Sequence, residues 1–282
     1  MELTESWREV FPADIVDRFL FSETRNAAVI LKSTQPEAFA DIVEVLSAFK
    51  LTLDTLTTPG GSKSVIAKEL DDSFRQRGWR ESRFEQELST RLTMRGWKEA
   101  PDPELRENVT RESKNFYDGH WVDNVKGRAV LDVEWNPKDG NLDRDLGNYV
   151  SLYESGIIDA GVIVTRGAGD FRERVRDLIS EVRDVSVDDE FTEWHKRLRK
   201  LARDPYGTST TANFEKLVPR IERGDGRGCP ILAVGIPFEA YTPPTDGLIE
   251  EVKRLAVDLK QGSFGFHAEI SPGEDDEEQK RS

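Results

Sequence analysis

Two short, almost wholly apolar runs constrain the fold more than any other feature: DAGVIVTR at residues 159–166 and CPILAVGI at 229–236. Runs of this kind are strands buried on both faces of a sheet. Such burial requires helices above and below, and helical spacing surrounds both runs. Leu142, Leu146, Tyr149, Leu152 and Tyr153 set an amphipathic pattern over 142–156. DFRERVRDLISEV (170–182) has Asp170 in an N-cap position, the basic stretch 190–203 is helical, and LIEEVKRLAVDLK (248–260) is a further helix. Strands alternating with helices predict an α/β chain built on a central sheet flanked by helices.

A hairpin makes that sheet mixed. A strand around 118–124, a turn at Lys126-Gly127 and a strand over 128–136 read in order. Upstream, NAAVILK (26–32) reads as a strand and PEAFADIVEVLSAFK (36–50) as a helix. Two further helices are expected at 64–79 and 81–97, each closing on Arg-Gly-Trp. In the second, Phe84, Leu88 and Leu92 recur every four residues and are expected to face a core, with Glu81, Glu85 and Glu87 near its start. The organisation expected is an N-terminal α/β segment (1–56) packed on a main domain (57–268), followed by a charged, disordered tail (269–282).

Composition excludes several classes. No run approaches the ~18 apolar residues of a membrane span, and MELTESWREVF does not resemble a signal peptide. The single cysteine, Cys229, rules out a disulfide framework and a thiolate metal cluster, and points to a cytoplasmic setting. His120, His195 and His267 form no metal-binding spacing, although His120 lies near Asp123. GGSKS lacks the spacing of a phosphate-binding loop, RGAGD lacks the full dinucleotide fingerprint, and no G-x-S-x-G is present. The net charge of −14 argues against nonspecific phosphate binding. The cations are skewed to arginine, which suits bidentate contacts to phosphate and guanine. Trp79, Trp97 and Trp135 read as core aromatics.

The chemistry is concentrated in VDNVKGRAVLDVEWNPKD (122–139). On a strand Asp132, Glu134 and Asn136 share one face. Asp123, on the preceding strand of the hairpin, comes near them. Hard cations such as Mg²⁺ take carboxylate oxygens and keep water and phosphate oxygens as further ligands. Asp123, Asp132 and Glu134 are therefore candidate metal ligands and catalytic residues, with Asn136 beside them. A solvated strand face would give the same alternation, but two neighbouring acids repel. Glu87 could add a carboxylate from its helix, and Lys138 could meet phosphate. Asp143-Arg144-Asp145 read as helix-dipole residues. In YGTSTT, Ser209, Thr210 and Thr211 offer hydroxyls to base edges or phosphate, and Lys216, Arg220 and Arg223 follow as possible phosphate or guanine contacts.

The layout of helix, acid-bearing hairpin, helix and strand resembles the PD-(D/E)XK nuclease core. VDNVKGRAVLDVEWNPKDGNLDRDL, YGTSTTANFEKLVPRIERGDGRGCPILAVGI and GGSKSVIAKELDDSFRQRGWRE are similar to the BglII/BstYI family of type II restriction endonucleases, over about residues 57–241. The resemblance implies a restriction-endonuclease-like mixed sheet, a homodimer, Mg²⁺, and cleavage of double-stranded DNA at a short palindrome with a GATC-like core. A cognate DNA methyltransferase would accompany it. Asp123 matches the first acid of the motif and Asp132 the second, where Glu is more usual. Glu134 stands where many such enzymes carry Lys. A second register makes Glu134 the second acid and Asn136 the third position. A repair or structure-selective nuclease, and a DNA-binding protein that has lost catalysis, are the alternatives.

Overall fold

The computed structural model describes residues 2–58, 64–135, 137–138, 140–167, 169–184, 192–203 and 211–261. Asn136, Ser209, Thr210 and the tail 269–282 lie outside the described residues. In chain order the strands are β1 (Leu3–Thr4), β2 (Leu20–Thr24), β3 (Arg80–Met94), β4 (Val109–Lys126), β5 (Ala129–Glu134), β6 (Ala160–Arg166) and β7 (Ile231–Ile236). Ahead of β3 come six helices: α1 (Trp7–Val10), α2 (Ala13–Arg18), α3 (Ala27–Thr34), α4 (Pro36–Ala48), α5 (Leu53–Thr57) and α6 (Val65–Gln76). After β5 come α7 (Gly140–Glu154), α8 (Phe171–Asp184), α9 (Thr192–Arg203), α10 (Phe214–Arg223) and α11 (Leu248–Gln261).

The strands form one seven-stranded sheet in the order β1-β2-β7-β6-β5-β4-β3. β5, β6 and β7 run parallel and the remaining pairings are antiparallel, so the sheet is mixed as expected. Every residue of β5, β6 and β7 is buried. Their alternate side chains feed two cores. Leu131, Val133, Val162, Val164, Leu232 and Val234 pack with the N-terminal helices and with α8, α9 and α11. Val130, Ile163 and Ala233 pack under α7 and α10 with Leu142, Leu146, Tyr149, Leu217 and Ile221. The N-terminal segment enters the same sheet through β2, which pairs with β7.

Two expectations are overturned. Residues 27–34 are a helix, not a strand. Ala27, Ala28 and Leu31 form its buried stripe, and the buried Glu23 carboxylate accepts the Ala28 N–H at 2.8 Å near its start. A short apolar run does not by itself separate the two states. Residues 80–94 are a strand, not a helix, and pair with β4 over almost their whole length. A spacing of four fits a helical face, but it is also a multiple of the strand period, so Phe84, Leu88 and Leu92 share a face in either state. Leu88 and Leu92 do not reach a core; they are 62% and 54% exposed. Glu87 consequently lies on a strand, paired with Lys114 at 3.3 Å. Trp79 and Trp135 are core residues, whereas Trp97 is exposed.

Candidate active site

The hairpin behaves as its sequence requires. Gly127 supplies the left-handed turn residue (φ 58°), and Asn124, Val125 and Lys126 pair with Leu131, Val130 and Ala129. Two residues of β3, from Arg80 to Ser82, span three of β4, from Val125 to Val122. That extra residue is a bulge at Asp123 and Asn124, and bulges re-aim side chains. Asn124 turns to the α6 side, where its amide donates to buried Asp71 at 2.7 Å. Lys126 is fixed by Asp41 at 2.6 Å. Asp123 is left opposite Asp132, whose Oδ1 accepts the Asp123 backbone N–H at 2.8 Å.

Asp132 and Glu134 do share one face of β5, at its C-terminal end and beneath α7. They are 5% and 7% exposed. Outside the carboxyl ends of parallel strands is where α/β sheets place ligands. α7 crosses this face because Leu142, Leu146 and Tyr149 recur at helical spacing, and it closes on Gly156 in the left-handed region (φ 71°). The Tyr149 hydroxyl lies 2.7 Å from Asp132 Oδ2 and 2.8 Å from the Val162 carbonyl. Gly161 on β6 leaves room for the Tyr149 ring, into which a Cβ there would collide.

α7 adds a carboxylate that the sequence reading assigned to the helix dipole. Asp145 is 2% exposed. Its carboxyl adjoins that of Glu134, whose charge raises the proton affinity of Asp145. Oδ2 of Asp145 is buried and receives no protein donor. Arg144 is the nearest counter-charge, 3.1 Å from Asp145 and 3.9 Å from Glu134. Burial, then the charges of Asp145 and Asp123, push the Asp132 carboxyl up to about 8. Burial, then the charge of Glu134, push Asp145 up to about 8. Burial is also the main cause raising Glu134, partly offset by its bond to Asp145. Asp145 was legible in principle. It falls on the stripe of Leu142, Leu146 and Tyr149, so a carboxylate occupies a core position.

The rim brings distant residues together. Lys138 forms an isolated bridge with Thr211, and the Ala212 N–H donates to the Pro137 carbonyl at 2.9 Å. Lys216 Nζ donates to the Thr211 carbonyl at 2.7 Å. Arg220 holds Asp143 through two bonds of 2.8 and 3.1 Å, and Arg223 holds Asp225 at 3.0 and 2.6 Å.

Buried, incompletely neutralised carboxylates are the donors a hard divalent cation selects, and the donorless Asp145 oxygen fits the same group. Among the described residues, however, no three His, Cys, Asp or Glu side chains gather closely enough to hold one ion. Also among them, no helix is long and apolar enough to cross a membrane.

Over residues 19–236 the chain matches the family described as restriction endonuclease BglII/BglIII. No curated protein matches it significantly.

Proposed function

The chain belongs to the restriction endonuclease BglII/BglIII family, and from that premise we propose a type II, Mg²⁺-dependent enzyme that cuts double-stranded DNA as a homodimer at a short palindromic site. A GATC-containing palindrome is the first target to try. The observation that carries this reading is the cluster of Asp132, Glu134 and Asp145 at the C-terminal end of β5, with Asp123 opposite it. Its setting is a cytoplasmic restriction system with a cognate DNA methyltransferase.

Asp123, Asp132 and Glu134 would hold the ion, and Asp145 is a fourth carboxylate beside them. When bound, Mg²⁺ would neutralise charge on the scissile phosphate and acidify a water. Glu134 or the DNA phosphate would assist the activated water by taking its proton. Burial raises the affinity of Glu134 for protons, the direction that favours a proton acceptor. Arg144, half-exposed and facing both acids, holds Glu134 in position. Asn136 is proposed as a DNA contact from its place in the sequence, two residues beyond Glu134. Lys138, Thr211 and Lys216 would meet the DNA backbone, and Ser209 and Thr210 are proposed as further contacts from their place in the sequence. Arg220 and Arg223 meet phosphate after exchanging their carboxylate partners.

The test is a digest of unmethylated phage DNA with Mg²⁺ across a salt series, using wild type, Asp123→Ala and Glu134→Ala. Discrete fragments from the wild type alone are expected, and sequencing their ends gives the site. A smear would indicate a less specific nuclease. The absence of three gathered ligands favours one competing reading, a DNA-binding protein that has lost catalysis. Folded wild type that shifts DNA but cuts it at no salt concentration would establish that reading instead.

A further inference from the structure

α6 carries a carboxylate where its own pattern calls for an apolar side chain. Ile66, Ala67, Leu70, Asp71 and Phe74 make up its buried stripe, and Asp71 is wholly buried within it. The neighbouring Asp72 stays nearer the surface, paired with Arg75 at 3.3 Å. Asp71 meets Asn124, also wholly buried, whose amide donates to Asp71 Oδ1 at 2.7 Å. Oδ1 of Asn124 is buried and receives no donor among the described residues. Burying a carboxylate against an amide costs more than packing two apolar side chains of the same size. α6 does not need the pair for its own docking, because Ile66, Leu70 and Phe74 already reach the core. The position of the pair supplies another reason for it. Asn124 is the residue next to Asp123, in the bulge of β4.

Sliding a bulge or a register by one residue sends each side chain to the other face of the sheet. Val122 and Val125 flank this bulge and both pack under α7. Apolar burial therefore holds the ends of the segment and leaves the two residues between them to be sorted. Those two, Asp123 and Asn124, are both polar and nearly the same size, so shape does not separate them. Asp71 separates them by charge. A carboxylate accepts a hydrogen bond from an amide and repels another carboxylate. With Asp71 on α6, Asn124 is drawn to that side and Asp123 is refused it, and refusal of the wrong partner is as much a source of specificity as attraction of the right one.

We propose that Asp71 is a positioning residue for Asp123. It holds the Asn124 amide on the α6 side, excludes the Asp123 carboxylate from that side, and so fixes the bulge that turns Asp123 toward Asp132. This rests on the nuclease reading above and names what aims the first acid of its site. The other buried pair of the hairpin, Lys126 with Asp41, also engages Trp79 Nε1 at 2.8 Å and the Arg77 carbonyl at 3.1 Å. It anchors the hairpin nearer its turn without telling Asp123 from Asn124, and so provides the control.

The probe is Mn²⁺, titrated into the full-length protein without DNA and followed by the electron paramagnetic resonance of the free ion. The Mg²⁺ concentration that half-saturates DNA cleavage is measured beside it. Asp71→Leu removes attraction and repulsion together, and should weaken Mn²⁺ binding and raise the half-saturating Mg²⁺ by about tenfold or more each. Asp71→Asn keeps an oxygen for the Asn124 amide but loses the charge, and should fall between Asp71→Leu and the wild type. Asp41→Ala should lower the melting temperature and leave both metal readouts unmoved. Folded Asp71→Leu with the Mn²⁺ affinity of the wild type would overturn the inference and leave the nuclease reading standing. Should Asp71→Leu not fold, wild-type affinity in Asp71→Asn would do the same. A shift in Asp41→Ala as large as that in Asp71→Leu would make both pairs merely structural and also overturn it. A wild type that neither binds Mn²⁺ nor cuts DNA would remove the nuclease reading and this inference with it.

Discussion

Replacing Asp145 by asparagine should make the metal-free protein more stable and the enzyme inactive. The Asp145 carboxyl is 2% exposed and pushed up to about 8, by burial first and by the charge of Glu134 second. In an unfolded chain it would titrate near ~3.9. At ~1.4 kcal/mol per unit of displacement, folding at pH 7 forfeits at most ~4 kcal/mol at this group relative to a neutral side chain. The repulsion is shared with Glu134 and Asp132, so about half of that, ~2 kcal/mol, is the expected gain. Asparagine keeps the shape without the charge, and its amide can donate to a neighbouring carboxylate. A gain of this size raises the melting temperature by roughly 4–8 °C in a chain of this class. The assay is thermal denaturation in chelator at pH 7, repeated with Mg²⁺, beside DNA cleavage. The wild type should gain stability from Mg²⁺, and the variant should gain little. Cleavage should fall by about 10²-fold or more if the fourth carboxylate matters to charge stabilisation. A variant that melts below wild type in chelator and still cuts DNA normally would refute the reasoning, because Asp145 would then be a structural acid already satisfied by Arg144.

The same displacements fix a pH dependence. Asp132 and Asp145 both have raised folded-state values, so their contribution is fully present below the ordinary carboxylate range and is lost as pH rises toward about 8. Metal-free melting temperatures should fall between about pH 5 and pH 8, and Mg²⁺ should counter the fall most at the alkaline end. Tyr149→Phe removes the one buried hydroxyl that lies between Asp132 Oδ2 and the Val162 carbonyl, so urea denaturation should show a loss of ~1–3 kcal/mol. Asp143→Asn frees Arg220 from a carboxylate whose own pKa that arginine lowers. DNA affinity without Mg²⁺, followed by fluorescence anisotropy, should rise severalfold and its salt slope steepen by about one phosphate contact; an unchanged slope would place Arg220 off the DNA.

The parts of the fold that read clearly from sequence were those where one physical signal decides. β6 and β7 are buried throughout and almost wholly apolar, and they sit in the middle of the sheet. The Lys126-Gly127 turn fixes the hairpin, and alternation puts Asp132 and Glu134 on one face. Where two signals coincide, the reading failed. Phe84, Leu88 and Leu92 satisfy both periods, and what makes them a strand is a partner, Val109–Lys126, distant in the chain. Ala27–Thr34 is too short and too apolar for periodicity to separate helix from strand. Asp145 was missed because its neighbours Asp143 and Arg144 make it look like part of an exposed helix start. Only its phase relative to Leu142, Leu146 and Tyr149 reveals that it points inward. The Lys138–Thr211 bridge has no local signal at all, since it joins segments more than seventy residues apart.

A net charge of −14 looks hostile to a DNA enzyme until the acids are sorted by depth. Asp132, Glu134 and Asp145 are buried, and burial raises the proton affinity of all three, which lessens the repulsive field they present without a cation. Asp143 and Asp225 lie at the surface and are spent on Arg220 and Arg223. Exposed pairs of that kind are worth little, on the order of 0–1 kcal/mol, so a phosphate can take over the arginine at small cost. The surface acids then act as place-holders that keep the rim's cations ordered before DNA arrives. On the proposed reading, the charge of the buried acids and the partners of the rim arginines would both change when a DNA backbone and its cation reach the C-terminal end of β5.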